Sequence, residues 1–374
     1  MSGTSLDATD GVLIEWLPTT DTQLNFKLLG QASQPISGQW RSTLLQLNSA
    51  GSNELHLSAL AANALAIDAT KVVHALLQQS GLAASAVAAV GLHGQTVRHQ
   101  PRLHDGCGYT LQLHNASLLA EQCGIDVITD FRSRDVAAGG QGAPLVPAFH
   151  AALVGQQECV AVLNIGGFAN LSLLHSATQV SGLDTGPGNV LLDAWCQRHL
   201  GTAFDFNGQW AASGSVIPDL LELLLQHPYF SLPAPKSTGR DDFYLQWLDQ
   251  QLNRFTQIHS VINPPEDVQA TLTELTAQTI SSTLKQAMPQ CKQLWVCGGG
   301  ALNSYLMTRL QVACHRVGMP IAVQPTPSLG LGVMEVEAAA FAWLALQHLR
   351  RQPGNCPAVT GAHGPRILGC WYPR

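Results

Sequence analysis

The sequence predicts a two-lobed α/β protein, on three observations. Apolar strand-like runs alternate with helical patterns almost to the end of the chain, the pattern restarts near Cys159, and glycine-rich turns stand at strand ends in three places. Strands alternating with helices imply mainly parallel sheets covered on both faces. The restart implies two lobes on one plan with a cleft between them. The length agrees, since 374 residues suit about two domains of ~100–200 residues.

Each element has a local reason. The chain opens on Ser2-Gly3-Thr4-Ser5-Leu6-Asp7-Ala8-Thr9-Asp10-Gly11 and runs into the aliphatic Val12-Leu13-Ile14. Asn53 can cap a helix over 54–80, with Leu55, Ala59, Ala62, Leu65, Ala66 and Ala69 on one face and Gly81 as the stop. Strands are expected at 86–92, 109–113 and 125–129, with a short helix at 116–123 closed by Gly124. After the glycine-rich loop 137–144, residues 159–165 and 168–174 read as a hairpin turning on Gly166-Gly167. Helices follow at 189–200, 218–226, 242–255 and 266–288. A strand at 294–297 meets Gly298-Gly299-Gly300, followed by a helix at 303–317, a strand at 321–324 and a last long helix at 332–350. Pro353 onward reads as a loop-rich tail.

Composition narrows the function. Hydrophobic residues make up 46% and charged ones 12%, which indicates a large buried core. A net charge of −6 with 5 lysines offers no basic footprint for nucleic acid. Nine scattered cysteines without a C-x-x-C pair fit reduced thiols. The longest unbroken apolar stretch, 338–346, is far short of the ~20 residues a membrane span needs. A cytoplasmic protein with no membrane partner is expected. The G-x-x-x-x-G-K-[ST] phosphate loop, the G-x-S-x-G elbow and H-E-x-x-H are all missing, and His93, His99, His104 and His114 lack metal-ligand spacing.

The chemistry-bearing segments lie at predicted strand ends. Small hydroxyls and a glycine in 2–6 let backbone and side-chain donors face an anion, and Asp7 and Asp10 could hold a cation through water. With Gly166-Gly167 and Gly298–Gly300, such a turn could hold a nucleotide between two hairpins and a helix N-terminus. Three unrelated turns are the alternative. Asp184, in Ser181-Gly182-Leu183-Asp184-Thr185-Gly186-Pro187-Gly188-Asn189, would project from an uncrowded turn as a general base. As a helix cap it lies about five residues too early. His93, Gln95 and Thr96 offer hydrogen bonds suited to sugar hydroxyls, and Arg132 can fork onto a carboxylate. Any one of them could instead satisfy loop carbonyls. Glu335 and Glu337 open an Ala-rich helix, where acidic residues often only complement the dipole.

With these segments in hand, the chain resembles the anhydro-N-acetylmuramic acid kinases over nearly its whole length. The likeness runs through Met1 to Asp7, His93-Gly94-Gln95-Thr96, Asp130-Phe131-Arg132, Ala137 to Pro147, Asn164 to Asn170, Asp184 to Asn189, Gly298-Gly299-Gly300 and Glu337 to Ala345. The chain departs from the pattern at Ala8, where many members have glycine, and at Leu183, where many have phenylalanine. It also lacks the Pro-Asp pair often found before Glu337 and a strand ahead of the Ser-Gly-Thr turn; a natural start further upstream is therefore expected.

The resemblance implies an actin-like ATPase (ribonuclease H-like) fold with an interlobe cleft. Lobe I would be 1–130 with 346–374, and lobe II 131–345. It implies ATP and Mg²⁺ as cofactors, with Gly3, Thr4, Ser5, Leu6, Asp7, Ala8, Thr9, Asp10, Gly166, Gly167, Asn170 and Gly298–Gly300 on the nucleotide. Asp7 and Asp10 would lie near the metal. His93, Gln95, Thr96, Arg132 and Glu337 would bind 1,6-anhydro-N-acetylmuramic acid, and a homodimer is expected. Asp184 would activate the water that opens the anhydro bridge while O6 takes the γ-phosphate, giving N-acetylmuramic acid 6-phosphate in cell-wall recycling. Two alternatives stand beside it: a same-fold kinase for an ordinary sugar or carboxylate, and a non-catalytic ATP-binding regulator.

Overall fold

The computed structural model describes residues 1–374 except 4–5, 19–23, 177–178, 235, 240 and 262. Two compact units divide it, Met1–Gln156 with Glu335–Arg374, and Gln157–Met334. The expected divisions at 130/131 and 345/346 are thus displaced. The segment after residue 130 and the whole last long helix stay with the first unit, because that helix packs on its strands.

In the first unit β1 (Ala8–Trp16) and β2 (Phe26–Pro35) form an antiparallel hairpin. Helix α1 (Gly38–Gln46) is capped by Ser37, whose hydroxyl accepts from the Trp40 amide. Helix α2 (Glu54–Ser80) lies across both strands and buries Ala61, Leu65, Ala66, Ala69, Val72 and Leu76. Gly11 permits that approach: a Cβ there would stand 2.4 Å from Val72 Cγ1. Gly81 ends α2 in the left-handed conformation as expected, whereas Asn53 does not cap it. Its backbone is itself left-handed (φ 61°), away from the extended geometry that aims a capping side chain, and Leu55 is 90% exposed. By length and composition α2 could cross a membrane, yet here it packs within the unit's core.

Where an incoming strand is expected beside β1, Ser2 bridges Thr9 and the Met1 backbone bonds to Asp10. The same edge of β1 borders an apolar groove of about 550 Å³, closed by α2 and residues 87–92. Next come β3 (Val90–Gly91), β4 (Gln95–Pro101), β5 (Gly108–Leu113), α3 (Ala116–Cys123), β6 (Val127–Thr129), α4 (Ser133–Ala137) and α5 (Val146–Val154). Asn115 and Gly124 cap the two ends of α3.

The second unit opens with a three-stranded meander, β7 (Val160–Ile165), β8 (Phe168–Leu174) and β9 (Val180–Pro187). Residues 181–187, most of the segment 181–189 expected as a turn, thus belong to a strand. Two glycines and Pro187 weaken the strand signal, but β9 is a sheet edge, where a missing amide costs no ladder bond. Helices α6 (Val190–Leu200), α7 (Gln209–Ser213), α8 (Pro218–Leu225), α9 (Leu245–His259) and α10 (Pro265–Ala287) follow, then β10 (Gln293–Cys297), α11 (Ser304–Arg316) and β11 (Ala322–Pro325). The order β11-β10-β7-β8-β9, with β10 and β11 parallel to β7 and β8 antiparallel, is the ribonuclease H-like plan. Ile165, Leu171, Ile280, Leu294 and Leu310 share its core.

The chain then returns to the first unit. Helix α12 (Val336–Leu349) packs on β1, β3 and α5. A Cβ on Gly91 would meet the Phe341 carbonyl at 2.3 Å, so that crossing needs glycine. After α13 (Pro357–Thr360), β12 (Cys370–Tyr372) completes a three-stranded sheet, β12-β6-β3, within the expected loop-rich tail. None of the nine cysteines is in a disulfide.

Candidate active site

The first unit assembles a buried polar cluster just past β3 and β6. Arg132, at the start of α4, donates from Nε to His93 Nε2 at 3.0 Å and from Nη1 to the Gly142 carbonyl at 2.8 Å. His93 Nε2 is therefore the acceptor, and the neutral ring carries its proton on Nδ1. Burial first, and Arg132 second, hold His93 well below the usual imidazole range. Burial also brings the Arg132 guanidinium down to about 10, against the opposing charge of Glu337. Phe341, one turn after Glu337 on α12, lies 4.4 Å from the His93 ring and 5.9 Å from the guanidinium. Gln95 Oε1 accepts from the Ser2 hydroxyl. Thr96 points to the other face of β4, where its hydroxyl accepts from Gln112 at 3.2 Å. His93, Gln95, Arg132 and Glu337 thus come together, and Thr96 does not join them.

Behind the cluster stands Asp135, fully buried on α4. Its Oδ2 accepts from the Gly142 amide at 2.8 Å, and its Oδ1 from Asn355 at 2.7 Å and Thr360 at 2.9 Å. The residue that fixes the Gly142 loop therefore also fixes the carbonyl that holds Arg132. Neither Asp135 nor Phe341 figures among the residues expected from sequence. Phe341 had a signal in its i, i+4 spacing from Glu337; the supporting role of Asp135 had none, because Asn355 and Thr360 lie 220 and 225 residues away.

The N-terminal turn is described only in part, since Thr4 and Ser5 lie outside the described residues. Gly3 accepts the Leu6 amide, and Leu6 is left-handed (φ 58°) with its side chain in the core beside Ile36, Leu44 and Val97. Leu6 can therefore offer a ligand only its backbone. Ala8 and Thr9 begin β1, and the buried Thr9 hydroxyl has no hydrogen-bond partner among the described residues. Asp7 is exposed and pairs with Arg41 at 3.4 Å. Asp10 accepts from Ser33 at 2.6 Å. The two carboxylates thus face different partners.

In the second unit three glycine segments converge. The Gly166-Gly167 turn joins β7 to β8, and its carbonyls accept from Gly188, Asn189 and Val190 at 2.8–3.0 Å as α6 begins. A Cβ on Gly188 would meet the Gly166 carbonyl at 2.4 Å. Gly298 (φ 81°) would there meet Asn164 Oδ1 at 2.3 Å, and Gly300 would meet Ile165 Cγ2 at 2.3 Å. Glycine is the one residue type that lets these backbones lie side by side.

Asp184 sits on β9 directly opposite Asn170 on β8, so the two side chains share a face. Its Oδ2 accepts from the Thr238 amide at 3.0 Å. Burial raises the carboxyl above the usual range, and the Thr238 bond opposes that rise. A half-buried carboxylate with one oxygen tethered leaves the other to take a proton.

A five-stranded mixed sheet with glycine turns converging at its strand ends is a framework suited to a nucleotide-dependent kinase. The family model described as anhydro-N-acetylmuramic acid kinase matches residues 1–374. The chain belongs to that family. It is 52% identical over 374 residues to the anhydro-N-acetylmuramic acid kinase of Bordetella petrii, spanning 100% of this chain and 95% of that protein. The namesake from Albidiferax ferrireducens is 49% identical, over 100% of this chain and 98% of its own length. Among solved structures, the activator of the 2-hydroxyisocaproyl-CoA dehydratase from Clostridium difficile with bound ADPNP matches with a TM-score of 0.40. That match has 12% identity and covers 92% of this chain and 96% of the activator.

Proposed function

We propose that this kinase opens 1,6-anhydro-N-acetylmuramic acid with water and phosphorylates the released O6 from ATP. The observation that carries this is Asp184: a carboxylate raised by burial, tethered by one oxygen, in the unit that holds the converging glycine turns. Asp184 takes a proton from the water whose oxygen bonds to the anomeric carbon. The bond from that carbon to the bridging oxygen breaks, its electron pair stays on O6, and O6 attacks the γ-phosphorus as ADP leaves. Alignment of the reactants contributes up to ~7–11 kcal/mol to such a step.

Arg132, His93, Gln95 and Glu337 bind the sugar, with the Arg132 fork on its carboxylate. Gly166, Gly167, Asn170 and Gly298–Gly300 receive the nucleotide, and backbone donors stabilise its phosphates. Mg²⁺, held through water near Asp10, would neutralise phosphate charge when bound. We take the product to feed cell-wall sugar recycling and the enzyme to be a cytoplasmic homodimer without nucleic-acid or membrane partners.

A coupled assay of ADP release with and without the anhydro sugar, run in ¹⁸O-water, tests the reaction. Sugar-dependent ADP and one solvent oxygen at C1 are expected. Sugar-dependent ADP without solvent oxygen would reduce the chain to an ordinary sugar kinase, and no sugar dependence would remove the activity altogether.

A further inference from the structure

Tyr229, Lys236 and Thr238 each share a hydrogen bond with Asp184. The Tyr229 hydroxyl donates to the Asp184 carbonyl at 2.8 Å, the Asp184 amide donates to the Lys236 carbonyl at 3.0 Å, and the Thr238 amide donates to Oδ2. The segment that carries them is itself tied down at both ends. Lys236 Nζ donates to the carbonyls of Tyr229 and Phe230 at 3.2 and 3.3 Å and lies 4.7 Å from the centre of the Tyr229 ring. The Thr238 hydroxyl donates to Asp242 Oδ2 at 2.7 Å. Of these bonds, one alone reaches the reactive carboxylate, and it comes from a backbone amide that no side-chain substitution removes. The Thr238–Asp242 pair holds the residue that carries that amide.

We propose that Thr238 and Asp242 are positioning residues for the reaction, acting on Asp184 through the Thr238 amide. The inference rests on Asp184 as the general base. The amide holds one carboxylate oxygen, so the other keeps a constant aim at the attacking water. A hydrogen bond to the ionised form also keeps a half-buried carboxyl available as a base. Among the described residues, the titratable groups on and beside this segment are His227, Tyr229, Lys236, Asp241 and Asp242, of which His227 and Tyr229 feel the Asp242 charge, while on α10 Glu274 pairs with Arg309 and Arg316. Helix α10 adds the neutral Thr276 and Thr279 beside β9, and Asn170 faces Asp184 from β8. Tyr229 is held well above the usual phenol range, by burial and then by Asp184 and Asp242, so it stays neutral and donates throughout.

The test compares Thr238→Val, Thr238→Ser, Asp242→Ala, Asp242→Asn and Asp184→Asn by kcat, KM and the pH profile of kcat. Thr238→Val and Asp242→Ala should each lower kcat at neutral pH about tenfold, the scale of one weakened bond to a charged group. KM for ATP should hold, and the acid limb of kcat should move to higher pH as the ionised base loses support. Thr238→Ser and Asp242→Asn keep a donor–acceptor pair and should restore both. The double variant Thr238→Val with Asp242→Ala should be no worse than either single, as for residues acting in series. An inactive Asp184→Asn beside wild-type kcat and acid limb in Thr238→Val and Asp242→Ala would overturn this inference alone. A near-normal Asp184→Asn would overturn the general base and this inference with it. Loss of folding in Asp242→Ala leaves the decision to Thr238→Val, an isosteric change.

Discussion

Substituting Asp135 by asparagine should both destabilise the first unit and weaken sugar binding. The buried carboxylate accepts three hydrogen bonds, one on Oδ2 from Gly142 and two on Oδ1 from Asn355 and Thr360. An amide has one acceptor oxygen. With that oxygen at the Oδ1 position, its NH₂ confronts the Gly142 N–H; flipped, it confronts two donors. Either way at least one bond to a charged group is lost and a buried N–H is left without an acceptor, together about 2–4 kcal/mol. At ~2–4 °C per kcal/mol for a unit of this size, Tm should fall by roughly 5–15 °C. Because Gly142 also presents the carbonyl that holds Arg132, KM for the anhydro sugar should rise while KM for ATP does not. Gly140→Ala is a second route to the same disturbance, since its Cβ would stand 2.1 Å from Asp135 Oδ2. Thermal melts and initial rates decide it: Tm within ~1 °C of wild type and an unchanged sugar KM for Asp135→Asn would refute the chain of support from Asp135 to Arg132.

Arg132→Lys should raise the sugar KM at least tenfold despite keeping the charge, because a lysine cannot bond His93 and the Gly142 carbonyl at once; steady-state rates at saturating ATP check this. Gly300→Ala should weaken nucleotide binding, measured by calorimetry with ADP, since its Cβ would push on Ile165 Cγ2 at 2.3 Å and disturb the turn. Burial brings His150 down to about 3 from 6.5, so the unfolded chain takes its proton first. The stability tied to this residue is complete above pH 6.5 and is lost as pH falls toward 3. Tm should drop across that window, less so in His150→Gln; an equal slope in the variant would show that other groups set the acid limb.

Legibility in the sequence followed the range of the interaction responsible. Helix α3, bounded by Asn115 and Gly124, and the length of α2 with its Gly81 stop are written in local caps and periodicity, and they stand where expected. Strand β8 is likewise set by an apolar run after a glycine pair. Strands β4 and β9 were obscured because their residues answer to tertiary neighbours: Gln95 to Ser2, Asp184 to Asn170. The same rule divides the site. Asp184 stands out locally as a carboxylate among glycines, but the amide that holds it comes from Thr238, a loop residue with no signal of its own. Arg132 stands out as a cation past a strand, but its aim depends on Asp135, which depends in turn on Asn355 and Thr360 near the other end of the chain. A glycine-framed turn and a few charged residues can therefore announce the reaction from sequence. The groups that orient them are chosen by three-dimensional contact, so substitutions at Asp135, Thr238 and Asp242 should tune the chemistry proposed for Arg132 and Asp184.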